Sequence, residues 1–235
     1  MPLHNNPTAI RGILFDLDGT LADTAPDMVA ALNMLRRENS LTDLDFVEVR
    51  NHVSHGSSAM IRIGFGDMLP ASRFEELRTR FLDIYATALA VKTRLFPGMT
   101  EALSTLEARG IIWGIVTNKP GFLSTPLIEA LDLNTRTACL ISGDLLPQRK
   151  PDPAPLRYAA KCIALEPESC CYVGDAERDI EAGRAAGMRT LIAGWGYIDN
   201  LQQTEKWGAN GKLYSPHELI DWLDAEALSS EAATN

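Results

Sequence analysis

An α/β fold, with a doubly wound, Rossmann-like parallel sheet and an inserted block of helices, is predicted by three observations. Short apolar runs alternate with stretches of helical periodicity over most of the chain, the pattern of a parallel sheet covered on both faces. The interval 23–92 breaks that alternation, with helical periodicity and no convincing strand. Several apolar runs also end in Asp, Thr or Gly, and the carboxyl ends of strands are where open α/β sheets gather ligands.

The first run, Gly12 to Phe15, reads as a buried strand and leads into Asp16-Leu17-Asp18-Gly19-Thr20. Two carboxylates at such a strand end need a metal ion or a charged ligand beside them, because an unpaired charge is costly away from water. Taken alone, the same Asp-x-Asp before Gly-Thr reads as an ordinary turn. A helix start follows at Thr24, with Pro26 and Asp27 in its first turn. Further on, Phe74, Leu77, Phe81, Ile84, Tyr85 and Ala88 recur at three- and four-residue steps and make one apolar stripe. Between these helices, Val53-Ser54-His55-Gly56-Ser57-Ser58 interrupts the periodicity with small and polar groups. It reads either as a loop dipping toward a cleft, with His55 meeting an acidic substituent and Arg62 nearby in sequence, or as a plain helix–helix turn with His55 in water.

Pro97-Gly98 marks the return to the sheet. Helix Thr100 to Arg109 then feeds strand Ile111 to Val116, which ends in Thr117-Asn118. Helix Phe122 to Leu131, strand Ala138 to Ser142 and the turn at Arg149-Lys150-Pro151 come next, followed by helix Ala154 to Ile163. Strand Cys171 to Val173 ends in Gly174-Asp175. Asp179 lies four residues on, in the first turn of helix Glu177 to Ala186, where both carboxylates can share one side. Strand Thr190 to Ala193 is the last. Gly110 and Gly187 stand just past two helices, where a left-handed cap is wanted. The chain thus divides into a sheet core, 1–22 with 93–235, and a helical insert, 23–92. The first seven residues and the Ser/Glu/Ala tail after about Leu228 lack a pattern able to bury surface and are expected to be loose.

With 235 residues, 46% of them hydrophobic, the chain is long enough to bury a sizeable core. Lys+Arg 22 against Asp+Glu 31 leaves a net charge of -9, which argues against nucleic-acid or anionic-membrane partners. No apolar run approaches a membrane span, and no charged-then-apolar leader opens the chain. Cys139, Cys162, Cys170 and Cys171 lack zinc-like spacing, and the last two fall in a core strand. Buried free thiols in a reducing compartment, the cytoplasm, are the expectation. Monomer and homodimer both remain open.

In this order, the segments ending in Asp16 and Asp18, in Thr117-Asn118, in Lys150-Pro151 and in Asp175 with Asp179 resemble the four motifs of the haloacid dehalogenase superfamily of phosphatases. The resemblance spans nearly the whole chain, and the insert is similar to that family's small helical cap. Thr117-Asn118-Lys119-Pro120 and the Lys150-Pro151-Asp152-Pro153 turn resemble the phosphoglycolate phosphatase branch. Leu95-Phe96-Pro97-Gly98-Met99, Trp113 to Pro120 and Trp207-Gly208-Ala209 resemble still more the N-acetylmuramic acid 6-phosphate phosphatases of cell-wall recycling. Ser54-His55-Gly56 departs from that group, in which two adjacent glycines would follow the serine.

The resemblance implies hydrolysis of a small-molecule phosphate ester with Mg2+, a cation suited to an oxygen-only site. Asp16 would attack phosphorus and form an aspartyl phosphate, and Asp18, in a partly closed cleft, would donate a proton to the leaving alcohol and later take one from water. The metal would be held by the carboxylates of Asp16 and Asp175 and the backbone carbonyl of Asp18, with Asp179 behind them and Glu177 in solvent. The Thr117 hydroxyl, the backbone N–H at Asn118 and the Lys150 charge would hold phosphate oxygens. Ser54, His55 and Gly56 would contact the rest of the substrate. Two alternatives stand beside this reading. A phosphosugar mutase has the same core and cap but returns the phosphoryl group to a sugar. A receiver-like module that merely accepts phosphate on aspartate is smaller and lacks both a cap and Asp18-Gly19-Thr20.

Overall fold

The structure, a computed structural model, describes residues 9–199 and 203–232. Its chain opens with β1 (Gly12–Phe15) and β2 (Ala22–Asp23), then runs through α1 (Ala25–Glu38), α2 (Phe46–Arg50), a 3-10 turn (Val53–His55), α3 (Gly56–Phe65) and α4 (Ala71–Ala86). It returns through β3 (Arg94–Leu95) to α5 (Met99–Ala108), β4 (Ile112–Val116), α6 (Gly121–Ala130), β5 (Leu140–Ile141) and α7 (Ala154–Cys162). The last stretch holds β6 (Cys170–Gly174), α8 (Glu177–Ala186), β7 (Arg189–Ala193), β8 (Gly211–Leu213) and α9 (Glu218–Ala232).

Six strands form one parallel sheet in the order β5-β4-β1-β6-β7-β8. β1 is paired on both sides, with Gly12 opposite Ile112 in β4 and opposite Cys170 in β6. All four of its residues are buried, as a central strand's must be. From β1 the chain winds outward through β4 and β5, then crosses to β6 on the other flank and winds outward again. The winding therefore reverses beside β1, and a crevice opens there between the connections leaving β1, β4 and β6. One apolar cluster fills the face carrying Ile13, Phe15, Trp113, Ile115 and Val173 against Leu103, Leu106 and Leu127, and another fills the face carrying Leu14, Val116 and Tyr172 against Leu156 and Ala182. The Trp113 ring meets Phe15 edge-on at 6.5 Å.

The helices α1 to α4 build a separate apolar cluster. Leu77, Phe81, Ile84 and Tyr85 of the α4 stripe are buried against Leu32, Leu35 and Met60, and each such side chain contributes about 1.5–3 kcal/mol by leaving water. Both ends of the helical segment are tied together. β2 pairs antiparallel with β3, and the buried Asp27 carboxylate accepts hydrogen bonds from the backbone N–H groups of Lys92 and Thr93 and from the Thr93 hydroxyl. Leu123 and Tyr197, from the connections after β4 and β7, enter the same cluster and join the helical layer to the sheet's carboxyl edge.

The five sheet strands expected from the sequence are present, with β5 reduced from Ala138–Ser142 to two residues. Gly110 (φ +69°) and Gly187 (φ +89°) take the left-handed conformation expected of them. Thr24 precedes α1 as expected, but its hydroxyl caps nothing there and reaches Asp18 instead. Three expectations need correction. Ala88 lies beyond the end of α4. β8 and α9 were not anticipated, because β8 is only three residues long and α9 has a weak apolar face; α9 runs to Ala232, through part of the tail expected to be loose. All four cysteines are free, but Cys162 is exposed and Cys139 half-buried, so only Cys170 and Cys171 are buried thiols. The expectation for the first seven residues lies outside the described residues.

Candidate active site

Three neighbouring strand ends deliver the polar groups. Asp16 directly follows β1, Thr117 follows β4 and Asp175 follows β6, so their adjacency comes from the sheet order. Asp179 joins them from the first turn of α8, where its Oδ2 accepts the Ala176 N–H at 3.0 Å. One carboxylate oxygen each from Asp16, Asp175 and Asp179 lies within 4.8 Å of the others, and all three residues are buried. Gly19 presses against this group from above. It holds φ +83°, and a Cβ there would stand 2.2 Å from Asp175 Oδ2, so the loop's approach to that carboxylate requires glycine.

The charges in this cluster do not balance. Lys150 Nζ is buried 2.9 Å from Asp16 Oδ1 and 2.8 Å from Asp179 Oδ1, and also donates to the Val116 carbonyl and the Tyr172 hydroxyl. Burial works against its charge, but the two carboxylates outweigh that and raise its pKa. The Arg178 guanidinium lies near all three carboxylates without a close ion pair to any of them. Asp175 is left with hydrogen bonds alone, from Ser54 Oγ at 2.6 Å and Tyr197 N–H at 2.9 Å to Oδ2, and from Thr20 Oγ1 at 3.3 Å to Oδ1. Burial, with Asp16 and Asp179 adding to it, pushes the Asp175 pKa up to about 7. Burial also raises that of Asp16, against the pull of Lys150. Excess negative charge on buried oxygens, in a cradle that a single Cβ would fill, fits a hard divalent cation.

Asp18 stands on the cleft side of this cluster. Its Oδ1 accepts from Thr24 Oγ1 at 2.6 Å and from Lys119 Nζ at 2.9 Å. Burial opposes the Lys119 charge, but Asp18 and Tyr85 more than offset it and raise the lysine's pKa. The Thr117 hydroxyl accepts the Lys119 N–H at 3.1 Å. Asn118 lines the cavity, where its backbone N–H was expected near phosphate, and its side chain exchanges two hydrogen bonds with the Lys150 backbone, at 2.9 and 3.1 Å. Its amide thus clamps the loop that aims Lys150, whose peptide bond to Pro151 is cis.

The helical layer closes the other side. The interrupted segment at Val53 folds as the 3-10 turn and then, through Gly56 at φ +75°, enters α3. This turn dips onto the sheet edge: Ser54 reaches Asp175, and Arg178 donates to the Ser54 carbonyl. His55 Nδ1 is 3.4 Å from Arg178, and burial, then Arg178, lower its pKa. Asp16, Asp18, Thr117, Asn118, Ser54, His55 and Gly56 all line one cavity of about 280 Å³. Arg62 does not; it pairs with Asp67 at 3.6 Å and lies over the Phe74 ring. Glu177 is exposed, as expected.

Four contributors escaped the sequence reading. Lys119 was visible as part of Thr-Asn-Lys-Pro but had no assigned partner. Arg178 lies between two acidic residues that drew attention to themselves. Tyr85 counted as one more apolar position in a stripe, and Tyr197 follows a strand with no motif to mark it. A basic residue within three positions of a strand-end Thr or Asp was the available signal for the first two.

The chain is similar to known proteins along most of its length. A family model described as haloacid dehalogenase-like hydrolase matches residues 13–193. N-acetylmuramic acid 6-phosphate phosphatase of Pseudomonas aeruginosa is 40% identical over 215 residues, 92% of this chain and 95% of the relative. Phosphoglycolate phosphatase of Xanthomonas campestris pv. campestris is 43% identical over 209 residues, 89% of this chain and 94% of the relative. A crystal structure described as a predicted phosphoglycolate phosphatase from Haemophilus somnus superposes with a TM-score of 0.79 at 26% identity, covering 90% of this chain and 97% of the other. No described helix is long and apolar enough to cross a membrane.

Proposed function

The chain belongs to the haloacid dehalogenase-like hydrolases and is a phosphatase of that family, and on this premise we propose that it hydrolyses a small phosphorylated metabolite with Mg2+ through an aspartyl phosphate on Asp16. The observation that carries the reading is Asp16 itself, a buried carboxylate at the end of the central strand with Lys150 2.9 Å from its Oδ1.

Phosphate monoesters resist attack because their oxygens repel an anionic nucleophile, so the site must position the reactants and neutralise charge. Lys150 does both, holding Asp16 in one orientation and offering positive charge to the phosphoryl oxygens. The Thr117 hydroxyl and the backbone N–H of Asn118 bind the same oxygens. Mg2+, held by the carboxylates of Asp16 and Asp175 and the backbone carbonyl of Asp18, would supply further neutralisation of phosphoryl charge. Asp179 orients Lys150 and caps α8. Asp16 attacks phosphorus while Asp18 gives a proton to the departing ester oxygen. Asp18 then takes a proton from the water that cleaves the Asp16–phosphorus bond.

Residues 23–92 act as a cap that selects the substrate. N-acetylmuramic acid 6-phosphate is slightly preferred, because Leu95 to Met99, Trp113 to Pro120 and Trp207 to Ala209 resemble the amino-sugar phosphatases and the Pseudomonas enzyme is 40% identical. 2-Phosphoglycolate is the second reading, favoured by the 43% identity to the Xanthomonas enzyme. A phosphate-release screen with Mg2+ over these two esters and hexose phosphates is the test. Release from the amino-sugar ester above the others, lost by more than about a thousandfold in a folded Asp16→Asn variant, is expected. Isomerised sugar phosphate without free phosphate would instead identify a mutase, and wild-type turnover by Asp16→Asn would remove the nucleophile.

A further inference from the structure

We propose that Lys119 and Tyr85 are positioning residues for the acid–base work of Asp18, fixing one of its carboxylate oxygens so that the other is presented to the ester. The inference rests on the role given to Asp18 above. Both donors to Asp18, Thr24 Oγ1 at 2.6 Å and Lys119 Nζ at 2.9 Å, converge on Oδ1. Oδ2 has no hydrogen-bond partner among the described residues, while Asp18 lines the cavity and keeps 14% of its side chain exposed. A carboxyl gripped by two donors at one oxygen cannot rotate freely, so its second oxygen keeps one aim. A proton-transfer group gains from that, since its rate depends on staying within hydrogen-bond reach of the reacting oxygen.

Lys119 would not hold this position alone. Its ammonium is buried, on a flexible four-carbon stem, and a second anchor comes from the helical layer. The hydroxyl of Tyr85, in the last turn of α4, accepts from Lys119 Nζ at 3.1 Å, and the ammonium lies 4.5 Å from the ring centroid. Tyr85 is fully packed and stacks on Phe81 with 6.3 Å between ring centroids, so its hydroxyl has little freedom either. A residue of the roof thereby sets the geometry of a proton donor on the floor, through a lysine that touches both. In the first step the Oδ2 proton passes to the bridging ester oxygen as the oxygen–phosphorus bond breaks and the bond from Asp16 to phosphorus forms. In the second, Oδ2 takes a proton from the water whose oxygen bonds to phosphorus as the Asp16–phosphorus bond breaks and phosphate departs. Lys119 and Tyr85 neither gain nor lose a proton in either step.

Leaving groups separate this role from a general structural one. An alkyl alcohol needs a proton to depart, whereas 4-nitrophenolate leaves without one. The measurement is kcat/KM for the better of N-acetylmuramic acid 6-phosphate and 2-phosphoglycolate, divided by kcat/KM for 4-nitrophenyl phosphate; this ratio reports phosphoryl transfer to Asp16 and not the later hydrolysis. We expect Lys119→Met to lower the ratio by about tenfold or more and Tyr85→Phe by about threefold, part of the 10²- to 10⁴-fold worth of a general acid. Tyr85→Phe keeps the ring and its stacking, so it tests the hydroxyl even if Lys119→Met folds poorly. An equal loss on both esters would overturn the proposal by making these residues structural or phosphate-binding, and so would an unchanged ratio. Asp18→Asn separates the two levels of inference. If it collapses the ratio while the other variants do not, only the positioning role fails; if it leaves the ratio intact, the role of Asp18 fails as well.

Discussion

On the sheet side of the cleft, Asp16, Asp175 and Asp179 come from strand ends and a helix start, are buried, and each meet at least two fixed partners. On the helical side, Ser54, His55 and Gly56 come from a short 3-10 turn and the helix start behind it, and His55 is exposed. The contrast separates two tasks. Phosphoryl transfer needs charges held in place before the substrate arrives, and strand ends of a buried sheet provide that rigidity. Choosing among phosphate esters needs only contacts worth a few kcal/mol, which a turn on the roof can supply and alter without disturbing the chemistry. Ser54 is one of the places where the two sides touch, through its bond to Asp175.

The division can be broken from the floor first. Asp175→Ala removes a charged oxygen from a cluster short of cations and is expected to lower phosphate release by about a hundredfold, with a matching rise in the Mg2+ concentration needed for half-maximal rate. Metal titrations of both proteins check this, and activity indifferent to chelator would refute the metal site. The roof should answer differently. His55→Ala is expected to change the ratio of kcat/KM between N-acetylmuramic acid 6-phosphate and 2-phosphoglycolate by about tenfold, while losing little on the better ester. Equal losses on every ester would move His55 from selection to the chemistry.

The smallest effect sharpens the account of the floor. Burial and its acidic neighbours raise the Asp175 pKa from 3.8 to about 7, so in metal-free protein this group favours the fold when protonated. That contribution is fully present below the unfolded value and is lost as pH rises through about 7. The metal-free melting temperature should therefore fall by a few degrees from about pH 5 to about pH 8, and Mg2+ should raise it more at the higher pH, where it meets an ionised carboxylate. A larger Mg2+ effect at the lower pH would contradict this picture of the cluster.

Much of this arrangement was legible in advance for a simple reason. Asp16, Thr117 and Asp175 each end a run of buried apolar residues, and once such runs become parallel strands their ends must share one edge. Asp179 could be added because it lies four residues past Asp175, and Lys150 because the segments follow one another in the order of the family's four motifs. The roof was harder to read. Whether Val53 to Ser58 dipped toward the cleft or turned away depended on how α1, α3 and α4 packed, and Arg62, equally plausible in sequence, turned out to face Asp67 and Phe74. Tyr85 was recognised only as apolar surface, since periodicity records where a ring goes and is blind to its hydroxyl.

By itself, then, the order of apolar runs and the polar residues that close them determined a parallel α/β sheet, a helical insert and the membership of the acidic cluster, because burial period and strand direction are local properties of the chain. Only the tertiary structure decided that Lys119 grips Asp18 while Tyr85 steadies Lys119, that Asn118 clamps the Lys150 loop, and that Ser54 bonds to Asp175. Those contacts join residues from 32 to 121 positions apart, and side-chain hydrogen bonds over such separations depend on how whole layers dock.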